Sequence, residues 1–91
     1  MNNNVTELER VLKALANRRR LSILLFLHKK VVASVGDIAD HVRLSFAATS
    51  RHLRTLANTD LVETEQVNTT VHYSLSTHRH PMLAAVLKIL S

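Results

Sequence analysis

Apolar residues recur along this chain at two periods. As far as Asn58, and again after Pro81, they fall three and four residues apart, as on a helix; between Val62 and Leu75 they alternate, as on a strand. The first run, Leu8, Val11, Leu12 and Leu15, overlaps Thr6-Glu7-Leu8-Glu9. That is a capping-box pattern, in which the Thr6 hydroxyl accepts from the Glu9 amide and Glu9 reaches back. The spacing predicts a first helix from about Thr6 to Ala16, with residues 1–4 as a frayed tail. Asn17 is a good N-cap for a second helix bearing Leu21, Ile23, Leu24, Leu25 and Leu27. This run leaves little polar face, so the helix is expected to be central, and Lys29 and Lys30 at its end complement the helix dipole. Val31 and Val32 suit a short strand or an extended link.

Ser34 as N-cap and Asp37 in the first turn open a short third helix, whose Val35, Ile38, Ala39 and Val42 share a face. Arg43-Leu44 is a tight connection, and Ser45 caps a fourth helix reaching about Asn58. Its inward face reads Thr49, His52, Leu53 and Leu56; its outward face reads Phe46, Ala47, Ser50, Arg51 and Arg54. Val62, Thr64 and Gln66 then alternate with Glu63, Glu65 and Val67, and Val71, Tyr73 and Leu75 alternate with His72 and Ser74. Asn68-Thr69 between them predicts a hairpin, since Asn tolerates the left-handed backbone of a tight turn. Pro81 suits the first turn of a last helix with an apolar stripe of Leu83, Val86, Leu87 and Leu90. The expected fold is mostly α with a small β-hairpin, in the order α-α-α-α-β-β-α, as a single domain over residues 1–91.

Composition narrows the function. Aromatics are only 3% of the chain, so the core must be aliphatic. Twelve Lys and Arg against seven Asp and Glu give a net charge of +5, the footprint expected of a nucleic-acid binder. Cysteine is absent, which excludes disulfides, thiolate metal sites and thiol redox sensing and fits a cytoplasmic protein. Met1-Asn2-Asn3-Asn4 has neither the basic nor the apolar region of a secretory signal, and the run Leu21 to Leu27 is far too short to span a bilayer. No nucleophile elbow, phosphate loop or paired carboxylates support catalysis.

The third and fourth helices read as a helix-turn-helix. Ala47 and Ser50 keep the outward face of the fourth slim enough for a major groove, where Arg51 and Arg54 can each offer a guanine edge two hydrogen bonds. Leu12-Lys13-Ala14-Leu15-Ala16-Asn17, Arg20-Leu21, Ile23-Leu24, Asp37-Ile38-Ala39, Leu44-Ser45, Ser50, His52-Leu53, Leu56, Leu61-Val62 and Tyr73-Ser74-Leu75 keep their order and spacing over about residues 8–76. In these the chain resembles the ArsR/SmtB family of winged helix-turn-helix repressors. The resemblance implies a homodimer through the first and last helices, an inverted-repeat operator in double-stranded DNA, and repression relieved by an effector, here unidentified. Three departures stand out. Asp60 and Asn68 occupy positions where the family usually has Gly, and no Lys or Arg lies between Asp60 and Ser76.

The DNA-contacting set is therefore expected on the helices: Ser45, Phe46, Ala47, Ser50, Arg51 and Arg54, with Arg18, Arg19 and Arg43, and Thr69 at the wing tip. Phe46 either meets a thymine methyl or tucks back on the core, and Arg20 ties helices together. Leu8, Val11, Leu15, Met82, Leu83, Val86, Leu87 and Leu90 are the expected dimer contacts. No cofactor and no metal are expected. The family's ligands, where present, are Cys on the third helix or Asp and His pairs on the last, and neither occurs here. His78 and His80 with His28, His41 or His72 remain only an incidental grouping, and His52 is expected to be a packed, hydrogen-bonded residue. The alternative reading is a winged-helix protein-interaction module that has lost DNA binding, which the acidic Glu63 and Glu65 favour.

Overall fold

The computed structural model describes residues 3–91. Five helices, α1 (Asn3–Leu15), α2 (Arg18–Lys30), α3 (Val35–Val42), α4 (Phe46–Asn58) and α5 (Pro81–Leu90), surround a small sheet of β1 (Val32–Ser34), β2 (Val62–Val67) and β3 (Thr70–Leu75). Local chemistry sets the boundaries. Asn17 Oδ1 accepts the Arg20 amide at 3.1 Å, Ser34 Oγ the Asp37 amide at 3.1 Å, and Ser45 Oγ the Ala48 amide at 3.0 Å, so three helices begin on the caps their sequences announce. Pro81 opens α5, and His80 Nδ1 accepts the Met82 amide at 3.0 Å.

The sheet is antiparallel in the order β1-β3-β2. The hairpin turns at Asn68, with φ 58°. The link after α2 is a strand rather than an extended connection: Val32, Ala33 and Ser34 pair with Ser74, Tyr73 and His72. It is reached through Val31, which ends α2 at φ 78°, ψ −54° while its amide bonds the Leu27 carbonyl at 2.9 Å. A β-branched residue there is strained by about 1–3 kcal/mol. Asp60, at φ 59°, ends α4: its amide bonds Ala57 O at 3.0 Å, and the Leu61 amide bonds Leu56 O at 2.9 Å. This double closure needs a left-handed residue, which explains why glycine suits the position and how Asp, with its short polar side chain, can replace it.

Ile23, Leu24 and Leu27 of α2 are buried at the centre, packed with Val11 and Leu15 of α1, Ile38 of α3, Leu53 and Leu56 of α4, and Leu83 and Leu87 of α5. Two expectations are corrected. Helix α1 begins at Asn3, so Asn3 and Asn4 are helical and Thr6 lies inside the helix, where it cannot serve as N-cap; the rest of the expected tail, Met1 and Asn2, falls outside the described residues. The apolar period extends back to Val5, which continues the stripe of Leu8 and Leu12. Val11, Leu15, Leu83 and Leu87 are at most 4% exposed, spent on the chain's own core and leaving no surface for a second copy. The apolar surface on the same helices belongs instead to Val5, Leu8, Leu12, Ile89 and Leu90, 63, 41, 42, 80 and 40% exposed, with Met82 and Val86 half-buried. Among the described residues no helix is long and apolar enough to cross a membrane.

Candidate nucleic-acid interface

Helices α3 and α4 meet across Arg43 and Leu44. Arg43 is left-handed at φ 58°, and the Leu44 amide returns to the Ala39 carbonyl at 3.1 Å. Arg19 reaches over from α2 and donates to the Val42 carbonyl at 3.1 Å, pinning the end of α3. The turn is therefore held from both sides before α4 leaves it.

Helix α4 is seated by its inner face. Thr49, Leu53 and Leu56 are buried, and Thr49 Oγ1 donates to the Ser45 carbonyl at 2.9 Å. His52, half-buried, faces Arg20, whose Nη1 lies 3.3 Å from His52 Nδ1. Arg20 also donates to the Ala14 and Lys13 carbonyls, at 2.6 and 3.1 Å, so it ties α1, α2 and α4 together as the sequence suggests. Burial, and then the charges of Arg20, Arg51 and Arg19, hold the His52 pKa below its ordinary value. A neutral ring can accept the Arg20 N–H at Nδ1, whereas an imidazolium would repel it.

The outer face is open. Phe46, Ala47, Arg51 and Arg54 are exposed and Ser50 is half-buried. Among the described residues both ion pairs, Arg10–Glu7 and Lys13–Glu9, lie on α1, so Arg18, Arg43, Arg51 and Arg54 face no carboxylate partner. Phe46 does not tuck back: it is 63% exposed. With Ser50 and Arg54 it lines a cleft of about 440 Å³ whose far wall is the wing, including Thr69 at the tip and Tyr73. The structure thus brings Phe46, Ser50, Arg54 and Thr69 around one cleft and leaves Ala47 and Arg51 on the neighbouring stripe. Ser45 uses its hydroxyl as a cap, and Arg18 lies at the start of α2.

The wing is chemically different. Glu63 accepts from the Thr77 amide and hydroxyl at 2.9 and 3.0 Å, which lowers its pKa, with a smaller contribution from His78. This carboxylate closes the base of the hairpin onto the link to α5. The histidines are dispersed: His41 stacks on Phe26 with centroids 4.2 Å apart, and His80 caps α5. Among the described residues no three His, Asp or Glu side chains group as a metal site. What sequence reasoning missed was the pinning of the turn by Arg19 and the outward stripe through Val5 and Leu12; the signal for the stripe was the i, i+3, i+7 spacing of Val5, Leu8 and Leu12.

A helix-turn-helix whose second helix carries unpaired guanidinium groups beside a two-stranded wing defines a winged helix-turn-helix DNA-binding protein. The model of the bacterial regulatory protein arsR family matches residues 17–64, and the chain belongs to that family of transcriptional regulators, which are DNA-binding proteins and not enzymes. The transcriptional activator HlyU of Vibrio cholerae is 44% identical over 66 residues, 72% of this chain and 60% of HlyU. A solved HlyU structure superposes with a TM-score of 0.81 at 37% identity, covering 99% of this chain and 94% of the other. The nodulation protein NolR of Rhizobium meliloti is 44% identical over 79 residues, 87% of this chain and 59% of NolR, so the matched stretch spans less than two thirds of either relative. The homodimeric winged helix-turn-helix DNA-binding domain of a possible ArsR-family regulator from Mycobacterium bovis superposes with a TM-score of 0.82 at 28% identity, covering 97% of this chain and 78% of that one.

Proposed function

We propose that two copies of this chain form a homodimer that binds an inverted-repeat operator in double-stranded DNA in the cytoplasm and represses transcription there. Helix α4 lies in the major groove. The observation that carries this reading is the outer face of α4, where Arg51 and Arg54 stand open with no carboxylate beside them among the described residues. The dimer reading is supported by the groove along α1 lined by Val5, Leu8, Leu12 and Ala16, by the exposed Ile89 and Leu90 of α5, and by the homodimeric relative. Repression follows where a bound dimer overlaps a promoter; HlyU is named an activator, and a dimer bound upstream of a promoter would act in that sense. With no cysteine in the chain, the effector is not a thiolate-bound metal.

The test is selection of fragments from the source genome by the purified protein at near-physiological salt, followed by sequencing. A two-fold symmetric motif is expected. Binding should weaken steeply with salt, because a dimer of this kind neutralises about 6–10 phosphates. The second reading, a protein-interaction module, is favoured by one observation: the wing presents Glu63 and Glu65 and no cation. It would be supported by passage through a heparin column at moderate salt and by no enriched motif.

A further inference from the structure

Phe46 is the first residue of α4 and keeps 63% of its surface in solvent, while Thr49, one turn on, is fully buried. It stands in line with Ser50 and Arg54, four and eight residues along the helix, and all three border the cleft facing the wing. Among the described residues no carboxylate lines that cleft, and Arg54 is its one charged residue. The N-terminal residues of a recognition helix are those that reach base edges. A phenyl ring has no hydrogen-bonding group, so it cannot read the donor and acceptor pattern of a base pair. Against it, a guanine or cytosine edge would lose water without gaining a partner. The apolar group on the major-groove edge is the 5-methyl of thymine.

We propose that Phe46 is a specificity-determining residue that reads one thymine in each half-site through its 5-methyl group. This rests on the DNA-binding reading above. Beside Phe46 the cleft is lined mainly by small and apolar groups, Val35, Gly36, Ser50 and Val71 among them, which suits a contact made by shape and apolar area.

The experiment uses the fragment enriched by the protein and replaces its thymines one at a time with uracil. Uracil pairs with adenine as thymine does and lacks only the methyl. One position per half-site should bind about fourfold more weakly, the ratio that corresponds to ~0.8 kcal/mol for a methyl-sized group. Phe46→Ala should bind both fragments equally, and Phe46→Leu should keep part of the preference. Arg51→Ala should weaken both and preserve their ratio. The assignment is overturned if no thymine shows the effect, or if the effect survives in Phe46→Ala. Specific binding without methyl dependence sinks this proposal alone, whereas absence of any specific binding sinks the DNA reading and this proposal with it.

Discussion

Helix α4 and the wing face each other across one cleft and carry opposite charge. The helix offers Arg51 and Arg54, free of acidic partners among the described residues; the wing offers Glu63 and Glu65 and no Lys or Arg between Asp60 and Ser76. A wing with basic residues can grip phosphates; this one has no charge with which to do so. On the proposed DNA-binding reading, the difference teaches that attraction and base reading would fall to the helices, and the hairpin could guide a strand only by its shape. Arg18 and Arg43 at the two ends of the α2–α3 unit extend the positive surface on the helical side.

The largest expected effect lies on the helix. Arg51→Ala should weaken operator binding by about 1–3 kcal/mol and relax the choice of one base per half-site; fluorescence anisotropy against a panel of single-base variants measures both. Uniform weakening across the panel would make Arg51 a phosphate contact. Reversing the wing's charge attacks the comparison from the other side. Glu65→Lys should tighten binding and steepen the plot of log affinity against log salt by about 0.9 for each phosphate newly neutralised. An unchanged slope would mean that the wing stands clear of the backbone.

Next come the joints. Val31→Gly should stabilise the fold by about 1–2 kcal/mol, since it relieves a β-branched residue held left-handed, and Asp60→Gly, at the exit from α4, by about 0.5–1 kcal/mol. Urea unfolding measures each, and a loss of stability in Val31→Gly would show that the side chain has a contact outweighing the strain.

The smallest effects are in pH, and they separate the two regions. His52 has its pKa lowered in the fold, so the unfolded chain takes up the proton first, and stability falls as pH drops below 6.5 and levels off below the folded value. Glu63 is also lowered, from 4.5, so its contribution is complete above that pH and is lost as pH falls through the folded pKa. His52→Gln should flatten the first window and leave the second; Glu63→Gln should do the reverse. Thermal melts from pH 7 to pH 3 would show whether the windows move together, contrary to this assignment.

Much of this arrangement is legible in the sequence because it is written in neighbouring residues. The caps Asn17, Ser34 and Ser45, the turn at Asn68, the opening proline of α5 and the bracing role of Arg20 depend on local geometry or on a strong pattern, and the resemblance to the family supplies the order. The start of α1 is less legible, since Asn3 and Asn4 look like a tail until Val5 is recognised as part of the stripe. Val11 and Leu8 lie one helical turn apart, and which of them enters the core is decided by how α1 is rotated against α2 and α5. That is a matter of tertiary packing, and it moved four expected dimer contacts inside. The pairing of β1 with β3 joins residues some forty positions apart, and Arg19 reaches the Val42 carbonyl from another helix; neither leaves a local mark.

Ser34 has a consequence beyond capping. It ends β1, where it pairs with His72 of the wing, and its side chain starts α3. No slack lies between the hairpin and the helix pair that presents α4, so they form one stiff paddle. In the proposed homodimer, a signal arriving at either part would tilt the whole paddle and change the distance between the two copies of α4. On the proposed homodimer reading, control would act by altering this gauge, as a pair of wheels fits one track and not another.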